Sequence, residues 1–69
     1  MQISARNTLK GKIVDAKPGV VNFEVTLELP CGQKITSVIT KASAEALGLE
    51  VGKEAYAIIK SSSVMIGVD

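Results

Sequence analysis

Hydroxyls and cations fall together three times in this chain: Ser4-Ala5-Arg6-Asn7, Thr40-Lys41-Ala42-Ser43 and Lys60-Ser61-Ser62-Ser63. Such groups, with the backbone N–H groups of the turns that carry them, suit the capture of a small, fully ionised oxyanion. A tetrahedral dianion presents only acceptors, so it needs donors on every side, and the start of a helix supplies free amides and a favourable dipole. The ordinary reading stands beside this one. A serine or threonine ahead of a helix is a cap, and a serine in a loop builds a turn.

Other chemistries are poorly supplied. The chain has no histidine, so the usual general base is missing and a Ser–His–Asp triad is impossible. No Ser-x-x-Lys motif occurs. Cys31 is the only cysteine, which rules out an internal disulfide and, with no histidine, makes a zinc site unsupported. Lys34 is the only cation close to Cys31 in sequence, too little to mark a reactive thiol. We therefore expect a protein that is not an enzyme. Eight basic and seven acidic residues give a net charge of +1, unlike a general polyanion binder. Phe23 and Tyr56 are the only aromatic rings, too few for stacking single-stranded bases. No nucleic-acid partner is expected. Nor is a membrane: no apolar run approaches the roughly 20 residues of a spanning helix, and Met1 to Arg6 lacks the apolar core of a signal peptide. A lone reduced cysteine fits the cytoplasm.

The elements that must position the hydroxyl segments are mostly strands, because the dominant period is two. Residues 3–16 read as a first strand, with Ile3, Leu9 and Ile13 on one face and Arg6, Lys10 and Lys12 on the other. Gly11 marks a bulge or bend within it. Lys17-Pro18-Gly19 reads as a turn in which the glycine takes positive φ. Residues 20–29 form a second strand, with Val21, Phe23, Val25, Leu27 and Leu29 alternating with polar residues. A third strand follows near 34–40. Residues 42–48 read as a short helix, with Ser43 as N-cap, Glu45 in the first turn and Gly48 at the end. Strands four and five lie near 54–60 and 64–68, and both are apolar on both faces. One face should meet the core and the other a partner subunit. The chain is 69 residues long with 46% apolar content, a size at which oligomerisation is a common stabiliser. The fold class is thus all-β, a five-stranded OB-like barrel with one short helix between strands three and four.

An ordered set of residues spans almost the whole chain: Ser4-Ala5-Arg6-Asn7, Leu9-x-Gly11, Gly19-x-Val21-Asn22-x-Glu24-Val25, Leu27-x-Leu29, Ile35, Val38-Ile39-Thr40, Ser43, Leu47-Gly48-Leu49, Gly52, Ile59-Lys60-Ser61 and Val64. In order and spacing it resembles the molbindin or Mop domain, a TOBE-like OB domain that binds molybdate or tungstate. Cys31 departs from the pattern, which has glycine or a small polar residue there. The resemblance implies one Mop domain over 1–69, strand exchange between subunits, and a homo-oligomer built as a hexamer, a trimer of dimers. It implies molybdate or tungstate as the bound ligand, with no organic cofactor, stored and buffered in the cytoplasm. Carried over, the oxyanion-binding residues are Ser4, Arg6, Thr40, Ser43, Lys60 and Ser61, with Arg6 acting partly through its main chain. A second oxyanion site would use Gly19, Val20, Val21 and Ser62. The alternative is an OB-type interaction module whose hydroxyls only build turns.

Overall fold

Alternation is strongest around Val25 and Leu27, and that segment becomes an inner strand of the sheet. The computed structural model describes all 69 residues. The elements run β1 (Asn7–Pro18), β2 (Asn22–Glu28), β3 (Lys34–Thr40), α1 (Lys41–Leu47), β4 (Glu54–Ile59) and a 3-10 turn at Ser61–Ser63. All ladders are antiparallel, in the order β3-β2-β1-β4.

β1 serves two neighbours in turn. Its first half, Asn7 to Lys12, pairs with β4, and its second half, Lys12 to Pro18, pairs with β2. The sheet must curl where the two ladders meet. Gly11 sits at that point with its Cα close to β2: a Cβ there would lie 2.8 Å from the Glu28 carbonyl oxygen. The expected bulge is instead at Val14, where the register passes from Ile13↔Leu27 to Asp15↔Thr26. An extra residue on one strand sharpens twist and bend. Gly11 thus permits close approach, and Val14 supplies the irregularity.

One row of charges crosses all four strands at this level. Glu54, Lys12, Glu28 and Lys34 are successive register partners and alternate in sign. The row is a register pattern and not a set of contacts, since none of its neighbours forms an ion pair and Glu54 pairs with Lys10.

Several boundaries differ from the sequence expectation. β1 begins at Asn7 rather than residue 3, and of Ile3, Leu9 and Ile13 only Ile13 is buried. β2 begins at Asn22, leaving Val21 exposed in the turn. Gly19 does not have positive φ. It is needed because a Cβ would meet the Asn22 carbonyl oxygen at 2.9 Å, the group that accepts its own N–H. The sheet has four strands, not five: residues 64–68 follow the 3-10 turn without a ladder partner in the chain. Strand four runs as expected, with Ala55, Ala57 and Ile59 turned inward and Tyr56 and Ile58 outward.

The core is small. Ile13, Val25 and Leu27 form its buried cluster, with Phe23, Ile35, Ile39, Leu49, Ala55 and Ala57 packed partly against it. Only 5 of 69 residues are buried, too few for the apolar content to be satisfied inside one chain. Between β3 and β4, which do not pair, lies an open apolar groove of about 730 Å³.

α1 is fixed at both ends by flanking residues. Thr40, not Ser43, is the N-cap: its Oγ1 accepts the Ser43 N–H at 3.1 Å and donates to Ser43 Oγ at 2.8 Å. The helix therefore starts earlier than expected, and Glu45 falls outside its first turn. Gly48 ends it in the left-handed region (φ 63°), with Leu49 N–H reaching back to the Ala44 carbonyl. Lys53 Nζ donates to the Gly48 carbonyl at 3.1 Å and ties the stop to the start of β4.

Two stability predictions come from this geometry. Gly11→Ala forces a methyl against the β2 backbone and should cost about 1–3 kcal/mol, read as a lower urea midpoint at fixed protein concentration. An unchanged midpoint would mean that the β1–β2 spacing yields freely. Thr40→Val keeps the side-chain shape but removes the cap, and should cost about 1 kcal/mol, whereas Ser43→Ala should cost clearly less. Equal losses in the two melting curves would return the capping role to Ser43.

Candidate functional site

The pairing of Asn7 with Ile59 decides where the first and third hydroxyl segments go. The residues before Asn7 and those after Ile59 leave the sheet side by side. Ser4, Arg6, Lys60, Ser61 and Ser62, with Ala5 and Ile58, line one open cleft of about 650 Å³. Residues 55 positions apart in sequence thereby share one wall. Ser63 N–H donates to the Lys60 carbonyl at 2.8 Å and folds the serine run into its turn. The amides of Ser61 and Ser62 have no partner within the chain.

The cleft is electrostatically simple. Its lining holds two cations, three serine hydroxyls and no carboxylate. The chain's ion pairs are Lys10–Glu54, Lys17–Asp15 and Lys53–Glu50, so neither Arg6 nor Lys60 is neutralised by an acidic neighbour. The arrangement offers donors and positive charge to an anion.

Thr40 and Ser43 do not line this cleft. Thr40 is the register partner of Asn22, and Lys41 N–H donates to the Val21 carbonyl at 2.9 Å. The second hydroxyl segment thus stands beside the Gly19–Val21 turn, at the far end of β1 from Asn7. Val20 projects from that turn and is 94% exposed. Within one chain the ten residues singled out in the sequence form two groups. Ser4, Arg6, Lys60, Ser61 and Ser62 stand at one end of β1, and Thr40, Ser43, Gly19, Val20 and Val21 at the other. Ser62 is with the first group, although the resemblance pairs it with the turn residues. Of the first three helical amides, those of Lys41 and Ser43 are already bonded inside the chain.

Two lining residues were not singled out. Ala5 lies between Ser4 and Arg6 and comes with them. Ile58 reaches the cleft from the outward face of β4, the face expected to meet a partner. Its signal in the sequence was an apolar residue on a face that the core does not need.

The TOBE domain model matches residues 3–66. A probable molybdenum-pterin-binding protein of Haemophilus influenzae is 52% identical over 69 residues, all of both chains. Molybdenum-pterin-binding protein 1 of Clostridium pasteurianum is 56% identical over 66 residues, 96% of this chain and 97% of that one. Among solved structures, MopII from Clostridium pasteurianum superposes with a TM-score of 0.93 at 54% identity, covering 97% of this chain and 100% of the other. ModG, described as a cytoplasmic molybdate-binding protein and solved with molybdate bound, gives 0.95 at 46% identity. This chain is covered completely in that match and spans 49% of ModG. No helix here is long and apolar enough to cross a membrane. A curled sheet with one short helix, a hydroxyl-lined cationic cleft and relatives matched from end to end agree with one another: the chain belongs to the TOBE domain family, in its molbindin or Mop branch.

Proposed function

We propose that this protein binds molybdate or tungstate at sites shared between copies of the chain, and so stores and buffers the ion in the cytoplasm. The observation that carries the reading is the cleft, where Arg6 and Lys60 stand unpaired among serine hydroxyls with no carboxylate on the wall. It is supported by the relatives' names and by ModG, whose structure holds molybdate.

The cleft is open to solvent, and on this reading a second copy of the chain closes it over the ion. On this reading Ser4, Arg6, Lys60 and Ser61 form one wall, and Thr40 and Ser43 of another copy close it. The Gly19, Val20 and Val21 amides would build a second kind of site with Ser62 of a neighbour. The whole chain, 1–69, serves as one domain in a hexamer made as a trimer of dimers. Residues 64–68 become the missing fifth strand by exchange between subunits. Their side chains favour this, because Met65, Ile66 and Val68 are at least 88% exposed in the lone chain. The protein is a carrier, not an enzyme, and takes no organic cofactor.

The energetics suffice. A hydrogen bond to a charged group contributes about 1.5–3 kcal/mol. About six of them exceed the roughly 8 kcal/mol of a micromolar site before ordering and desolvation are subtracted. Backbone amides and capped hydroxyls keep that ordering cost low. Molybdate and tungstate are fully ionised near neutral pH and need only donors.

The test is calorimetric titration of sulfate- and phosphate-free protein with molybdate, repeated in excess sulfate. Saturable heat that survives sulfate is expected, with a ratio of ion to chain different from unity. Lys60→Ala removes a charged donor and should weaken binding by about tenfold or more. Unchanged affinity would make Lys60 a solvated strand end. A stable oligomer that takes up no molybdate would instead make the chain an interaction module whose serines build turns.

A further inference from the structure

Asn7 is the first residue of β1 and the register partner of Ile59, and it does not line the cleft. Its Nδ2 donates to the Ile59 carbonyl at 3.3 Å. Among the side-chain hydrogen bonds of the chain this one alone is partly buried; the bonds of Thr26, Thr40, Ser43 and Lys53 are all exposed. It also joins the two most distant segments, 52 positions apart. The residue on one side of the bond is preceded directly by Arg6, and the residue on the other is followed directly by Lys60. Strand ends fray unless something holds them. Here a side chain bonds across the last pair of the ladder, at the point where both walls of the cleft leave the sheet.

The residue type is itself informative. Asparagine is a poor strand former, and a β-branched residue would suit a paired position better. A local preference is set aside at this position, and such departures concentrate where function requires them. The Lys60 carbonyl is held as well, by Ser63 N–H at 2.8 Å. Consecutive carbonyls, Ile59 and Lys60, are thus fixed by different partners, which leaves the Lys60 backbone little freedom.

We propose that Asn7 is a positioning residue for the oxyanion site: its amide clamps Ile59 and thereby sets the separation of Lys60 and Ser61 from Ser4 and Arg6. The inference rests on the oxyanion reading above and assigns a role to a residue that touches no ligand. Loss of such a supporting partner costs a bound metal ion about 10- to 100-fold in affinity, and the lower end applies to a wall held at other points too.

The deciding experiment titrates molybdate, and separately sulfate, into the wild type and Asn7→Val, with melting of each ligand-free protein recorded alongside. Valine removes the amide but favours the strand. Melting should therefore stay or rise, while molybdate affinity falls about tenfold and the preference for molybdate over sulfate narrows. If Asn7→Val does not fold, Asn7→Leu keeps the volume, lacks the donor, adds no charge and should lose a similar amount of affinity. A variant that binds molybdate as the wild type does, with the same preference, overturns the clamp and leaves the site standing. A wild type that takes up no molybdate overturns the site and the clamp together. Lower melting with unchanged affinity makes Asn7 a strand-end stabiliser and likewise overturns the proposal.

Discussion

Everything in this fold depends on β1 holding two neighbours at once. A strand of 12 residues gives its first half to β4 and its second half to β2. It can do so only if it curls between them, and curling needs a residue with no side chain where the β2 backbone comes close. Gly11 meets that need. Lys12 is the register partner of both Glu54 and Glu28 and marks the level at which the two ladders meet. From this arrangement the placement of the polar segments is automatic. Whatever precedes β1 lies beside whatever follows β4, and whatever follows β3 lies beside the turn that follows β1.

A second constraint follows from size. A curled sheet of four short strands encloses a thin core, and Ile13 alone among the large side chains is fully buried. The unpaired edges of β3 and β4, the groove between them and the apolar segment after Ser63 all remain open. Exposed edges and apolar patches of this extent are not normal for a free monomer. On the proposed reading, assembly covers these surfaces and brings the far ends of β1 in different copies together. The same step that completes the core then completes the site. Bound oxyanion would accordingly stabilise the assembled form by mass action, since it binds that form and not the free chain.

The elements carried by period and by turn chemistry were readable in the residues. The alternation from Phe23 to Leu29, the Gly48 stop and the span of strand four stand where the pattern puts them, while which face of strand four turns inward is seen only in the structure. What was misread depended on contacts between segments. By type Ser43 is the better cap, and only the backbone path decides that Thr40 caps and the helix begins at Lys41. Residues 64–68 have strand composition but no ladder partner within one chain, and on the proposed reading another copy supplies it. The first and third hydroxyl segments could be joined from the sequence only through the resemblance, because their proximity follows from the Asn7–Ile59 pairing. Asn7 lay within the quoted segment without a role, since a poor strand former at a strand start looks like a loop residue.

Charge and donor count cannot separate molybdate from sulfate, because both ions are dianions with tetrahedral oxygens. Only the span between opposing donors can. On the proposed reading that span is set by groups held close to the backbone and not by the long free cations. One wall would be held by the Asn7 amide on the Ile59 carbonyl and the fold of the 61–63 turn, the other by the Thr40 cap that starts α1. A long cation such as Lys60 would adapt to an ion of either size and so supply affinity with little discrimination. Capped hydroxyls and fixed amides do not adapt, and they fit one size. If the two walls belong to different copies, their spacing is a property of the assembly. Selectivity would then be governed by the interface that the thin core makes necessary, and not by any residue's chemistry taken alone.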